Sequence, residues 1–326
     1  MRAQRLSLIL AIGVLLGIGA VILFYFQQKN DLVYREEDNA LIGSANYQLV
    51  GSIMGPKTKK FNNPLAVAVS KDKIYVADSG NGRVVVYKPN GVFEQTLGDQ
   101  GTSATKLVYP TDLAVTPDNH LFVADRPAGR IMAITPKGEV KSFPEGADRL
   151  KLNGFSPLAI ALDVQGNLVV SEVSQQRLVY FNPAGKLLKI VKKDQAGQNL
   201  PLSFVNGIAS ASNKLYLANS NQSNILAIAA TGQAEVLSAK NQELTLPRGI
   251  ATDSTGKNLF VADLMQHQVY KIELQGERKV DTIGLVKTNE QLLNYPNDVA
   301  VDNDGRVYIA DKGNGRLLIL KEKEQG

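Results

Sequence analysis

The sequence contains no cysteine and no tryptophan, and its 326 residues include only two histidines, His120 and His267. Without cysteine there are no disulfides, no thiol chemistry, no Cys-ligated zinc and no lipid-modified N-terminal cysteine. Two separate histidines do not supply the three protein ligands of a catalytic zinc. There is also no G-x-S-x-G element of a serine hydrolase and no phosphate-binding glycine loop. These absences remove several enzyme classes.

Charge is nearly balanced, with 36 Lys and Arg against 31 Asp and Glu, a formal net charge of +5. No Lys- or Arg-rich run stands out, and a solvated surface accounts for a mild excess spread over this length. Binding to nucleic acid requires a concentrated basic face. Nucleic acid is therefore not an expected partner.

Residues 6–26 form a strongly apolar run that carries no charged side chain. A helix needs about 20 apolar residues to cross a bilayer, whereas the core of a cleaved signal peptide is shorter and ends at a small-residue cleavage site. This run ends in Phe24, Tyr25 and Phe26, and Arg2 and Arg5 precede it. The pattern predicts an uncleaved signal-anchor, with residues 1–5 in the cytoplasm, the rest outside the cytoplasm, and residues 27–46 as a tether.

The remaining chain is dominated by a segment repeated six times, first seen as IYVADSGNGRVVVY at residues 74–87. Each copy reads as two short strands around a turn, and an earlier strand beginning at Pro64 also recurs. The Asp-type position of the repeat recurs at Asp78, Asp125, Glu172, Asn219, Asp263 and Asp311, about every 44 to 48 residues. A period of this length built from short strands predicts propeller blades of four strands each, here called a to d.

The sixth repeat ends after strand c, at about Lys321. A segment resembling the missing strand d lies at residues 47–54, before the first blade. We therefore expect this strand to complete the last blade and close the ring. The predicted domain is an all-β, six-bladed propeller at residues 47–321, followed by a short tail at 322–326.

The motifs resemble NHL repeats, which pair a P-x-G/D-[IV]-A-V strand with [IV]-Y-[VI]-A-D-x-G-N-x-R-[IV]. The first and last copies, YVADSGNGRVVVY and YIADKGNGRLLIL, are the most similar, and the fourth is the least. The resemblance covers residues 47–321 and implies a six-bladed NHL-type propeller. It does not specify function, because this fold serves both binding proteins and enzymes.

Four copies carry a carboxylate and an arginine five residues apart, across the turn between strands b and c. A carboxylate–guanidinium pair at this spacing is expected to hold the turn, and its repetition favours a structural role over a ligand site. These pairs are Asp78 with Arg83, Asp125 with Arg130, Glu172 with Arg177, and Asp311 with Arg316.

Residues that differ between copies are the better candidates for function. Strands a begin on the same face as the b–c turns, so polar residues at both places should surround the mouth of the central channel. Ordinary loop chemistry is the alternative explanation for such residues. The candidate binding residues are Thr111, Asp112, Arg126, Asn206, Arg248, His267, Asn297, Asp298 and Lys312.

Two enzyme families are built on related propellers. The peptidyl-hydroxyglycine lyases place zinc-binding histidines just after the first proline of strand a, and none of the six equivalent positions here is histidine. The gluconolactonase family binds a divalent ion, and Asn206 and Asp298 resemble two of its ligands. The early Glu ligand of that family is missing, although Asp112 offers a third oxygen for Ca²⁺ or Mg²⁺.

The expected function is thus a non-enzymatic, membrane-tethered scaffold outside the cytoplasm that binds a protein, a peptide or a surface glycan. No cofactor is expected for this role. The alternative is a Ca²⁺- or Mg²⁺-dependent hydrolase or lactonase at the channel mouth, with Asp112, Asn206 and Asp298 as metal ligands.

Overall fold

A computed structural model describes residues 32–33, 46–144, 152, 154–237, 243–283 and 292–323. The predicted anchor at residues 6–26 and most of the predicted tether lie outside these ranges. Within them, no helix combines the length and the apolar character that a membrane crossing requires. The described chain forms six antiparallel sheets, each with at least four strands, as the repeat predicts.

The inner half of each blade consists of strands a and b. Strand b is buried along its whole length in blades 1, 2 and 3, because it lies between the neighbouring blades. The a strands are Pro64–Val69, Pro110–Val115, Pro157–Leu162, Val205–Ala211, Pro247–Thr252 and Pro296–Val301. The b strands are Ile74–Asp78, Leu121–Asp125, Leu168–Glu172, Lys214–Asn219, Asn258–Asp263 and Arg306–Asp311.

The outer half of each blade consists of strands c and d, and strand d is the most exposed. A short 3₁₀ turn joins b to c in four blades, at Ser79–Asn81, Arg126–Ala128, Ser220–Gln222 and Lys312–Asn314. The c strands are Arg83–Tyr87, Arg130–Ile134, Arg177–Phe181, Asn224–Ala229, Gln268–Glu273 and Arg316–Glu322. The d strands of the first five blades are Phe93–Leu97, Val140–Phe143, Leu187–Val191, Ala234–Leu237 and Val280–Ile283.

The ring is closed by the N-terminal strand, as the sequence predicts. Tyr47–Ile53 pairs antiparallel with Arg316–Glu322, so that Tyr47 lies opposite Glu322 and Ile53 opposite Leu317. Leu32–Val33 adds a short fifth strand at the outer edge of this sheet. The last blade is thus built from both ends of the described chain.

The hydrophobic core is divided into six clusters, each lying between two neighbouring blades. The cluster between blades 1 and 2, for example, packs Tyr75 and Val84 against Leu113 and Val123. Small residues at the inner strands, such as Ala77 and Ala124, allow the blades to approach near the axis. Every blade therefore depends on both of its neighbours for burial of apolar surface.

Candidate binding face and channel mouth

The carboxylate–arginine pairs are formed and buried beneath the b–c turns. The ion-pair distances are 2.7 Å for Asp78–Arg83, 3.2 Å for Asp125–Arg130, 2.9 Å for Glu172–Arg177 and 2.7 Å for Asp311–Arg316. All four carboxylates are fully buried. Since they are inaccessible, these side chains organise the face without offering a ligand site.

The same pairs also hold the loop that enters each blade. Asp78 accepts a hydrogen bond from the backbone N–H of Asn62 at 2.7 Å, and Arg83 donates to the Lys59 carbonyl at 2.6 Å. Asp311 and Arg316 make equivalent bonds to Asn294 and Leu292. Each pair therefore joins three segments of its blade: strand b, strand c and the incoming loop.

The central channel encloses about 220 Å³ and is lined by strand a of all six blades. Of the described residues that line it, Asp112 of blade 2 and Asp298 of blade 6 are the only charged ones. Asp112 accepts from the backbone N–H of Ile160 at 2.7 Å, and Asp298 accepts from that of Val67 at 2.8 Å. Each carboxylate thus crosses to strand a of the following blade.

The surroundings of these two carboxylates disfavour their ionised forms. Burial raises the pKa of Asp298 to about 7, against backbone hydrogen bonds that lower it. Burial and the charge of Asp298 together raise the pKa of Asp112 well above its usual range.

A side chain at Gly249 would leave no room for Asp298, since a Cβ there would lie 1.8 Å from its Oδ1. The channel is therefore closely packed around this pair.

The second residue of each strand a lies at the channel mouth. Thr111 donates to the Leu158 carbonyl at 3.1 Å, and Asn297 donates to the Leu65 carbonyl at 2.7 Å, in each case across to the next blade. Ser79 and Ser220 make similar bonds to the carbonyls of Pro110 and Pro247. Thr111 and Asn297 are accordingly engaged in joining blades.

The residues of the predicted metal site have other partners. The Oδ1 of Asn206 accepts a hydrogen bond from Arg248 at 2.5 Å, and its amide nitrogen donates to Phe204 and Ser220. A guanidinium on this oxygen opposes the binding of a cation there. Among the described residues, no group of three or more His, Cys, Asp or Glu side chains is placed to hold a metal ion.

Arg248 and Arg126 are two cations at the mouth without an acidic partner. Within the described ranges, no carboxylate lies within ion-pair distance of either guanidinium. The Nε of Arg248 is buried and has no hydrogen-bond partner among the residues that the structure describes. Burial, with a smaller contribution from the charge of Arg126, lowers the pKa of Arg248. The mouth therefore carries uncompensated positive charge.

Two exposed aromatic side chains lie on the same face, and one of them contacts Arg126. The guanidinium of Arg126 lies 5.3 Å from the ring centroid of Phe204, and Nε of Arg126 donates to Ser156. On blade 6, the ring of Tyr295 lies 4.4 Å from that of His267, whose Nδ1 accepts from the backbone N–H of Tyr295 at 3.1 Å. Phe204 and Tyr295 are 37% and 41% exposed.

The backbone at these aromatic residues is in an unfavourable conformation. Phe204 has φ of 56° and Tyr295 has φ of 52°, the left-handed region that bulky residues rarely adopt. The equivalent position in blade 1 is Asn63, with φ of 50°, and asparagine tolerates this region better. Strained residues that persist on a surface often serve binding. Sequence reasoning missed Phe204 and Tyr295, although an aromatic residue just before strand a was a visible signal.

The nine predicted mouth residues divide into separate groups. Asp112 and Asp298 lie in the channel, Thr111 and Asn297 join blades, and Asn206 supports Arg248. Lys312 lies in the b–c turn of blade 6 and, within the described residues, has no carboxylate at ion-pair distance. Arg126 packs against Phe204, Arg248 donates a hydrogen bond to Asn206, and His267 packs against Tyr295.

Comparison with known proteins supports the repeat assignment. The family described as NHL repeat matches residues 61–87 and 293–320, which lie in the first and last blades. Curated relatives include Protein brain tumor of Drosophila melanogaster, 29% identical over 40% of this chain and 12% of that protein. E3 ubiquitin-protein ligase NHLRC1 of Homo sapiens is 23% identical over 80% of this chain and 56% of that protein. The alignment thus spans 12% of the first relative's length and 56% of the second's.

Solved structures share the fold at low sequence identity. Virginiamycin B lyase from Staphylococcus aureus has a TM-score of 0.59 at 14% identity, covering 84% of this chain and 99% of that one. A protein of unknown function from Bacteroides thetaiotaomicron has a TM-score of 0.65 at 15% identity, covering 85% of this chain and 76% of that one. The structural matches establish the propeller architecture, but at such low sequence identity they do not indicate an activity.

Proposed function

We propose that this protein is a non-enzymatic scaffold that binds a protein or peptide segment on the face formed by the b–c turns and the channel mouth. The observation that carries the proposal is that one face presents two exposed aromatics on unfavourable backbone, Phe204 and Tyr295, and that Phe204 packs against Arg126. Arg248 adds a second cation to this face. Aromatic and arginine side chains are the residues most enriched at protein interfaces.

The rest of the face is suited to presenting these residues rigidly. Buried ion pairs hold the b–c turns and the incoming loops, so little conformational entropy is lost when a partner binds. Val108 and Met265, both exposed, add apolar surface on the same face. A rigid face of mixed apolar and cationic character favours a protein segment over an uncharged glycan.

Site-specific photocrosslinking tests this proposal in cells that make the protein. A benzophenone amino acid is introduced at position 204 or 295, and at Val164 in the a–b turn of the opposite face as a matched exposed control. We expect positions 204 and 295 to capture the same protein band and position 164 not to. Equal capture from all three positions, or none from the b–c face, contradicts the proposal.

We further propose that residues 6–26 anchor the propeller to a membrane, with the N-terminus in the cytoplasm. The uncharged run and the preceding Arg2 and Arg5 support this proposal. We expect the full chain to remain in the membrane fraction after alkaline carbonate washing, and the propeller to be digested by protease added to intact cells. Release by carbonate contradicts the anchor, and protection from protease contradicts the orientation.

A further inference from the structure

We infer that Arg248, assisted by the charge of Arg126, is the receptor for a carboxylate group of the bound protein segment. The inference rests on the proposed function, because it specifies the chemistry that the b–c face recognises. Its basis is the unmet hydrogen-bonding capacity of a half-buried guanidinium at the channel mouth.

Among the described residues, the side chain of Arg248 hydrogen-bonds to Asn206 alone. One Nη donates to the Oδ1 of Asn206, and the amide of Asn206 is itself fixed by the Phe204 carbonyl and the Ser220 hydroxyl. Ser220 in turn donates to the Pro247 carbonyl, immediately before Arg248. The guanidinium is therefore preorganised by neutral groups that leave its charge uncompensated.

The N–H groups of Arg248 that Asn206 does not use are of the kind that bind a carboxylate. The Nε of Arg248 is buried without a partner, and burying an unsatisfied donor costs about 1–3 kcal/mol. A planar guanidinium binds a carboxylate through two parallel hydrogen bonds. Arg126, whose charge acts on Arg248, adds attraction for the same anion.

Neighbouring groups favour a carboxylate on a peptide over a free anion. Phe204 lies against Arg126 and exposes part of its ring, which gives apolar contact next to the charged site. Asp112 and Asp298 lie deeper in the channel, where burial raises the pKa of both carboxyl groups and so disfavours negative charge. The carboxylate would thus bind at the mouth, with the rest of the peptide lying across the face.

Calorimetry with defined peptides tests the inference on the full chain in mild detergent. The probes are N-acetyl-Glu-Phe-Glu amide, with side-chain carboxylates only, N-acetyl-Gly-Phe-Gly with a free C-terminus, and N-acetyl-Gln-Phe-Gln amide as the neutral control. We expect at least one acidic probe to bind and the neutral probe to bind about tenfold more weakly or not at all. The better acidic probe identifies which kind of carboxylate is recognised.

Substitutions then locate the site. Arg248→Gln should reduce affinity for the acidic probe by about tenfold or more, and Arg248→Lys should restore only part of it, because lysine keeps the charge without the planar fork. Lys137→Gln removes an exposed charge in the c–d turn of the opposite face and should leave affinity unchanged. Unchanged unfolding temperatures would show that the variants are folded.

Several outcomes would overturn the inference. Equal binding of acidic and neutral probes, or loss of affinity in Lys137→Gln equal to that in Arg248→Gln, excludes a specific carboxylate receptor. Tighter, Arg248-dependent binding of a single-stranded oligouridine would identify phosphate as the ligand group instead. If crosslinking at positions 204 and 295 persists in Arg248→Gln while no acidic probe binds, the binding face stands and the carboxylate receptor fails.

Discussion

The carboxylate of Asp298 accepts a hydrogen bond from the backbone N–H of Val67 at 2.8 Å, which ties the last blade to the first inside the channel. Asp112 makes the same kind of bond from blade 2 to Ile160 of blade 3. Both acceptors are buried where charge is disfavoured. Stability and protonation are therefore linked at these two residues.

The first prediction concerns pH. The pKa of Asp298 is about 7 in the folded protein and near 4 when unfolded, so the folded state holds the extra proton between these values. The contribution of this group to the free energy of unfolding must then fall as pH rises from 4 to 7. Asp298→Asn keeps an oxygen acceptor and cannot titrate, so urea denaturation should show a flatter pH dependence. A steeper loss of stability with pH in the variant would contradict this.

A second prediction uses blade 4, in which an uncharged pair of asparagines replaces the carboxylate–arginine pair. Arg83→Asn leaves Asp78 buried without its cation and should cost about 3–5 kcal/mol. The double variant Asp78→Asn, Arg83→Asn reproduces the Asn219 and Asn224 pair of blade 4 and should be more stable than the single variant. Chemical denaturation of the three proteins measures both differences. A double variant less stable than Arg83→Asn would show that the isolated carboxylate is not the source of the cost.

Ring closure gives a third prediction. Leu49 is buried opposite Leu320, whereas its neighbour Gln48 is exposed on the same strand. Leu49→Asp places an unpaired charge in the core between blades 5 and 6 and should lower the free energy of unfolding by more than about 3 kcal/mol. Gln48→Asp is the matched control and should change stability by about 0.5 kcal/mol or less. Deleting residues 47–55 should lower the unfolding temperature further still. Equal stability of the two Asp variants would argue against closure by this strand.

The strained aromatics lead to a fourth prediction. Phe204→Asn gives blade 4 the residue that blade 1 has at Asn63, where the backbone angle is almost the same. Relief of the left-handed strain should offset much of the lost packing, so we expect the unfolding free energy to change by about 1 kcal/mol or less. Crosslinking from position 295 should nevertheless weaken in this variant. A large loss of stability would indicate that Phe204 is there for packing.

A fifth prediction addresses divalent cations. Because Asn206 already accepts from Arg248, we expect titration of the protein with Ca²⁺ to give no binding heat at micromolar to millimolar concentrations. Saturable heat that disappears in Asp298→Ala would restore the metal-dependent alternative. Arg248→Ala is the informative companion, since it frees the oxygen of Asn206.

Much of the fold follows from the sequence because each blade is specified by its own repeat. The start of strand a at Pro64 and the Asp78–Arg83 turn depend on local chemistry, and both are found where the motifs place them. The N-terminal strand was recognisable because the sixth repeat lacks its last strand. Local patterns of this kind survive folding because tertiary packing reinforces them.

The candidate site was less accessible to sequence reasoning, because it depends on contacts between blades. Nothing within strand a indicates that Asp298 bonds to Val67, 231 residues away. The contact of Arg126 with Phe204 spans blade 3 and follows from the curvature of the ring. Asn206 was a reasonable metal ligand by residue type, and only the position of Arg248 shows that its oxygen is engaged.

Pairing of Tyr47–Ile53 with Arg316–Glu322 also sets the order in which the protein can complete its folding. During synthesis, the first strand of the propeller emerges long before strand c of the last blade, so it remains without this partner while five blades are made. Unpaired strand edges are prone to misassembly, and long loops close slowly. A nascent chain stopped before strand c of the last blade would keep an open edge at each end of the array. Quality-control factors could therefore distinguish unfinished chains from finished ones by this gap.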